Sequence, residues 1–133
     1  MEIKYFIDTN IFIYAIEDTG KLGEKARKIL RSRYKFSTSV ITIEEILTGL
    51  YKRKQEDKVT SYLEFISAAK NIEVVTIGKE IAILAARLRA EYNLKSPDAL
   101  QLASATSIKA DYFITADRKI PKRIDNLKVI ILN

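Results

Sequence analysis

The chain contains no histidine and no cysteine, and its 133 residues include only four glycines and two prolines. Each shortage removes a class of chemistry. Without histidine a Ser-His-Asp relay cannot form, and no Gly-x-Ser-x-Gly turn is present either. Without cysteine there is neither a disulfide framework nor a thiolate metal site, and with both residue types missing a structural zinc site lacks its ligands. No Gly-x-Gly-x-x-Gly or Gly-x-x-x-x-Gly-Lys-Ser/Thr stretch occurs, so dinucleotide and P-loop binding have no motif. The scarcity of Gly and Pro leaves no linker, and there is no repeat or low-complexity tract, so residues 1–133 read as one domain. No apolar run approaches the roughly 20 residues that span a bilayer. The opening, Met1 to Ile7, enters a strand-like segment without the basic and apolar regions of a signal peptide. A cytoplasmic protein with no membrane association is the expectation.

What remains is basic: 23 Lys plus Arg against 17 Asp plus Glu, a net charge of +6, which suits attraction to phosphate backbones. Apolar periodicity alternates between two and 3.6 residues. Strands are predicted at Ile3–Ile7, Lys35–Ser39, Glu73–Ile77, Tyr112–Thr115 and Val129–Leu132. Between them helices are predicted over Asn10–Ile16, Glu24–Arg33, Thr42–Tyr51, Glu56–Lys70 and Lys79–Tyr92, and another opens at Ser96-Pro97, with Ser96 as N-cap and Pro97 first in the helix. Val59, Tyr62, Leu63 and Ile66 form a stripe suited either to the core or to an exposed contact surface. Strands alternating with helices define an α/β fold, a mostly parallel sheet sandwiched by helices in a Rossmann-like three-layer arrangement.

Ligands of open parallel sheets bind beyond the carboxyl ends of the strands, and four acids fall there. Asp8 follows the first strand and Asp117 the Tyr112–Thr115 strand. Asp98 and Glu45 lie in the first turns of their predicted helices. Each has a local structural role open to it. Asp8-Thr9-Asn10 suits a helix cap, Thr42-x-x-Glu45 matches a capping box, Asp98 suits the helix dipole, and Asp117 sits in a polar turn. Capping does not explain why all four line one edge of one sheet. Periodicity does not choose between Glu44 and Glu45; Gly49, one turn on, leaves the face of Glu45 uncluttered. Clustered carboxylates repel unless a cation balances them, and all-oxygen ligands suit Mg²⁺ or Mn²⁺.

With these residues in place the chain resembles the PIN-domain nucleases, and among them the VapC-type toxin ribonucleases of VapBC toxin–antitoxin systems. The likeness runs nearly end to end. It is carried by Ile7-Asp8-Thr9-Asn10, by Thr38-Ser39-Val40-Ile41-Thr42-Ile43-Glu44-Glu45, by Ser96-Pro97-Asp98-Ala99-Leu100-Gln101 and by Phe113-Ile114-Thr115-Ala116-Asp117-Arg118. The second motif places the acid at Glu45. The resemblance implies a Mg²⁺- or Mn²⁺-dependent endoribonuclease with Asp8, Glu45, Asp98 and Asp117 around the metal, supported by Asn10 and Thr115. It implies an antitoxin partner and a homodimer. Two departures stand out. Gln101 replaces a His of many relatives, which an acid-only mechanism tolerates, and Arg118-Lys119-Ile120-Pro121 follows Asp117 in place of an Asp-Phe-type continuation. Arg118 and Lys119 are candidate contacts to the RNA backbone. The alternatives are a non-catalytic RNA- or protein-binding domain of the same fold, or a nuclease of RNA maturation or structured DNA.

Overall fold

The structure, a computed structural model, describes residues 2–133; Met1, the start of the expected leaderless opening, lies outside them. Along the chain come β1 (Tyr5–Ile7), α1 (Thr9–Glu17), α2 (Lys21–Leu30), β2 (Phe36–Ser39), α3 (Val40–Lys52), α4 (Glu56–Ala68), β3 (Ile72–Val75), α5 (Lys79–Tyr92), α6 (Ser96–Ser107), β4 (Tyr112–Thr115), β5 (Arg123–Ile124) and β6 (Leu127–Ile131). The strands form a six-stranded sheet in the order β3-β2-β1-β4-β6-β5. All pairings are parallel except β5 with β6. The α/β, three-layer expectation holds.

Alternation along the short central strands sorts the core into two layers. Phe6 and Phe113, adjacent across β1 and β4, stack with centroids 5.6 Å apart on the face covered by α5 and α6. Ile7, Ile114 and Phe36 point the other way and pack with Ile11 and Phe12 of α1, Ile46 and Leu50 of α3 and Val59, Tyr62 and Ile66 of α4. The α4 stripe is therefore core at three of its four positions, with Leu63 left exposed. Gly23 is required where α2 meets the end of α1: its N–H bonds Asp18 Oδ2 at 2.7 Å, and a Cβ there would stand 2.0 Å from the Asp18 carbonyl oxygen.

Helix boundaries depart from expectation where a side chain reaches the backbone first. Ser39 caps α3 by accepting from the Ile41 N–H, so the helix starts at Val40 and the Thr42/Glu45 capping box does not form. Thr42 lies fully buried in the first turn and Glu45 one turn deeper than expected. In α6 the extended Lys95 holds the N-cap position, making Ser96 and Pro97 the first helical residues. The tight β5–β6 hairpin, turned at Asp125 with φ 52°, is absent from the sequence expectation.

Strand order fixes where the site lies. From β1 the chain builds outward through β2 and β3, then returns to place β4 on the other side of β1. The crevice outside the carboxyl ends of β1 and β4 is thus a topological switch point. The Asp8 N–H bonds the Ile114 carbonyl at 2.9 Å and sets the first acid at its mouth.

Candidate active site

Asp8 is the N-cap of α1, its Oδ1 accepting from the Thr9 N–H at 2.8 Å, so the capping role and the site role fall on one residue. Its Oδ2 accepts from Thr115 Oγ1 at 2.8 Å and from Asn10 Nδ2 at 3.3 Å. Thr115 in turn accepts from Asn10 Nδ2 at 3.0 Å and from the Asp117 N–H at 3.1 Å. Asn10 Oδ1 accepts from the Ala116 N–H at 2.9 Å and ties the loop after β4 to α1. Asn10 and Thr115 therefore hold Asp8 and the Asp117 backbone together.

Glu45, not Glu44, turns inward. Its Oε1 accepts from Thr9 Oγ1 at 2.7 Å, whereas Glu44 is exposed and meets Thr48. The Arg53 guanidinium lies 3.3 Å from where a Cβ on Gly49 would be, on its way to Glu17 at 2.6 Å. Asp98 is half-buried in the first turn of α6. Asp117 receives the Lys119 N–H on Oδ1 at 2.9 Å, a local turn that leaves Arg118 and Lys119 exposed beside it.

Electrostatics joins the four acids. Burial pushes the Asp8 carboxyl up from 3.8 to about 6, against the donors from Thr115 and Thr9, and the charges of Asp98 and Glu45 push it further. Glu45 is raised by burial, with Glu44 and Asp98 adding repulsion and the Thr9 bond opposing it. Asp98 is raised by burial and by Asp117, while Lys95 opposes. Among the described residues none of the four forms an ion pair. This is a site short of positive charge.

The donor set is entirely oxygen, which suits a hard divalent cation and not a soft one. Among the described residues no three acids converge closely enough to complete a ligand set by themselves. An ion that keeps several waters and takes one or two carboxylates directly, as Mg²⁺ does, fits such spacing better than one needing a full cage of side chains. An apolar groove of about 520 Å³ runs between α1, α2, α3 and α4 and shares only Glu45 with the four acids. A smaller one of about 390 Å³ lies between α3 and the start of α6, again with Glu45 in its wall.

Beneath the acids lies a polar layer that sequence reasoning did not single out: Thr9, Thr38, Ser39, Thr42 and Gln101, all buried and all hydrogen-bonded to one another or to backbone. The available signal was a lone amide, Gln101, on a helix whose neighbours Ala99, Leu102 and Ala103 are buried and apolar.

The chain belongs to the PIN-domain family, whose pattern it matches over residues 5–127. Among curated protein sequences none matches it. Its fold is similar to that of a chain in a toxin–antitoxin complex from Klebsiella pneumoniae, with 29% identity, a TM-score of 0.71 and coverage of 92% of this chain and 94% of that one. It is also similar to VapBC2 from Rickettsia felis, solved bound to a DNA fragment from its promoter (22% identity, TM-score 0.75, 98% and 100% covered). A third likeness is to Mycobacterium tuberculosis VapC20, a sarcin–ricin-loop-cleaving toxin (13% identity, TM-score 0.69, 82% and 86% covered). The last two carry the fold alone. Together with the family match they make this a PIN domain resembling the VapC toxins of VapBC pairs. Among the described residues no helix is long and apolar enough to cross a membrane.

Proposed function

We propose that the chain is a cytoplasmic endoribonuclease, the toxin of a toxin–antitoxin pair, hydrolysing RNA phosphodiesters with Mg²⁺ or Mn²⁺ held among Asp8, Glu45, Asp98 and Asp117. The observation that carries this reading is the mutual repulsion of acids placed after β1, on α3, on α6 and in the loop after β4: three are raised in pKa, by burial first and by neighbouring carboxylates second, and none is ion-paired among the described residues. A divalent ion held there would supply the missing positive charge and the Lewis acidity that phosphodiester hydrolysis needs. The protein's own groups do the rest. Thr115 and Asn10 fix the Asp8 carboxylate through its Oδ2. Glu45, anchored by Thr9, orients the attacking water or accepts its proton. Arg118 and Lys119, on the exposed loop beside Asp117, position the RNA backbone. The neighbour VapC20 is described as a sarcin–ricin-loop-cleaving toxin, and RNA is the substrate class proposed here.

The test is cleavage of single-stranded RNA by purified protein with Mg²⁺ or Mn²⁺, wild type against Asp8→Asn. Equal rates would remove the assignment. An antitoxin partner is part of the same reading, since several neighbours are toxin–antitoxin complexes, and self-pairing is proposed with it. Growth arrest on expression, relieved by a small co-encoded protein, is the expected phenotype; dependence on a flap or junction would point to a DNA nuclease.

A further inference from the structure

The buried layer under the acids has one consistent direction, which follows from counting protons. The Ile7 carbonyl can only accept, so Thr38 donates its hydroxyl proton there at 2.8 Å. Thr38 has no second proton, so in its 2.7 Å contact with Thr42 the donor is Thr42. Gln101 Nε2 has two hydrogens and donates one to Thr9 Oγ1 at 3.0 Å and one to Thr42 Oγ1 at 2.9 Å. Thr9 then sends its own proton to Glu45 Oε1 at 2.7 Å. The 3.0 Å approach of Thr9 and Thr42 is left with no proton, as expected for two oxygens held side by side by one amide. Ser39 donates to Gln101 Oε1 at 2.5 Å and accepts from the Ile41 N–H at 3.1 Å.

Turning the amide over breaks this pattern. Nε2 would face Ser39, whose hydroxyl proton would lose its acceptor, and the Gln101 oxygen would draw the proton of Thr9 or Thr42 away from Glu45 or Thr38. Packing does not account for the amide either. Gln101 is 1% exposed among buried apolar neighbours, and an apolar side chain of similar volume would fill that space at a lower desolvation cost.

We propose that Gln101 is a positioning residue for Glu45, acting through the Thr9 hydroxyl, an inference that rests on the nuclease reading above. By supplying both donors, the amide leaves the Thr9 proton a single outlet and holds one oxygen of Glu45 in a fixed place at the edge of the acidic site. Neither Gln101 nor Thr9 touches the substrate; both set where Glu45 points.

The experiment has two readouts. In RNA cleavage with Mn²⁺, Gln101→Met should lower kcat roughly 10- to 100-fold while KM stays within about twofold. In a Glu45→Gln background, measured under single turnover, the same change should cost less than about twofold more, because its target is already gone. Thr9→Val should reproduce the kcat loss and Thr9→Ser should recover most of it. In EDTA, with no metal bound, the melting temperatures of Gln101→Met, Glu45→Ala and the double variant should depart from additivity by roughly 4 °C. Equal kcat losses in both backgrounds, or additive melts, would overturn the proposal and leave Gln101 a packing residue. Should Gln101→Met fail to fold, Thr9→Val crossed with Glu45→Gln and Glu45→Ala decides by the same criteria. Should the wild type cleave no RNA, the nuclease reading falls, and the metal-free melts still judge whether Gln101 holds Glu45.

Discussion

The two ends of the central strands are built for opposite purposes. At the amino end Tyr5 packs against Tyr34 (5.4 Å between centroids), Tyr112 (5.5 Å) and Phe36 (6.0 Å), an aromatic row laid across β2, β1 and β4. A few residues further along, the same three strands finish at Ser39, at Ile7 just before Asp8, and at Thr115. The first end is satisfied by its own packing. The second is satisfied inward, through hydroxyls and an amide, but faces outward as unbalanced negative charge. A rigid frame anchored at one end can hold repelling groups at the other, where a folded chain without the frame would let them part. Substitutions at the two ends should therefore separate stability from activity.

The largest effect is expected at Asp8. Asp8→Asn should reduce RNA cleavage by about 1000-fold or more. In EDTA the same variant should melt higher than wild type, because it removes a buried charge repelled by Asp98 and Glu45. The extra stability that Mn²⁺ confers should shrink in the variant. A variant that lost activity and also melted lower in EDTA would show that Asp8 belongs to the frame and not to the strained end.

The same carboxyl makes metal-free stability depend on pH. Its folded pKa of about 6 stands above the unfolded value of 3.8, so the native state binds the extra proton between them and stability falls as pH rises through that window. The loss attributable to Asp8 should approach roughly 3 kcal/mol above pH 6. Other carboxylates titrate nearby, so the measurement is the difference between wild-type and Asp8→Asn unfolding curves in EDTA from pH 4 to 7. A flat difference would mean that Asp8 ionises freely in the folded protein.

At the opposite end, Tyr5→Ala should cost about 2–3 kcal/mol by removing the middle ring of the row. Its kcat at a temperature where it stays folded should match wild type within about twofold, since Tyr5 lies at the far end of β1 from Asp8. Chemical denaturation and a cleavage assay on one preparation test both halves, and a large kcat loss would mean the ends are not independent.

Much of this arrangement is legible in the sequence, and what escapes it does so for identifiable reasons. Asp8, Asp98 and Asp117 could be placed because strand ends and a Ser-Pro helix start are local signals. The choice of Glu45 over Glu44 depends on Thr9, 36 positions away, and no helical periodicity contains that contact. The Thr42/Glu45 capping box failed because Ser39 reaches the Ile41 N–H first, freeing Thr42 for Thr38 and Gln101. Gln101 looked exchangeable because an acid-only mechanism gives it no chemical task; its bonds to Thr9 and Ser39 span 92 and 62 positions. The β5 strand, two residues long, is too short to carry an alternating pattern. Short-range chemistry marks the acids, then, while what aims them is long-range and hidden.

The smallest prediction turns on the polar group that does not share in this mutual satisfaction. Among the described residues Tyr62 Oη is the buried side-chain polar atom with no hydrogen-bond partner, on a residue that lines the same apolar groove as Glu45. Burial pushes its phenol up to about 12, so it stays neutral and carries a proton with nowhere to go. The contrast with Gln101 is direct: both are more than nine-tenths buried, yet every hydrogen of the amide is placed and that of the phenol is not. A buried donor left unpaired costs free energy that its removal returns, so Tyr62→Phe should stabilise the isolated chain by about 1 kcal/mol, or roughly 4 °C in melting temperature. The ring and its packing, in the layer α4 shares with α1 and α3, are unchanged by the substitution, which confines the effect to the hydroxyl. A melting temperature equal to or below that of wild type would mean that the phenol is already paired in solution, and that the polar layer under Glu45 is not alone in being fully satisfied.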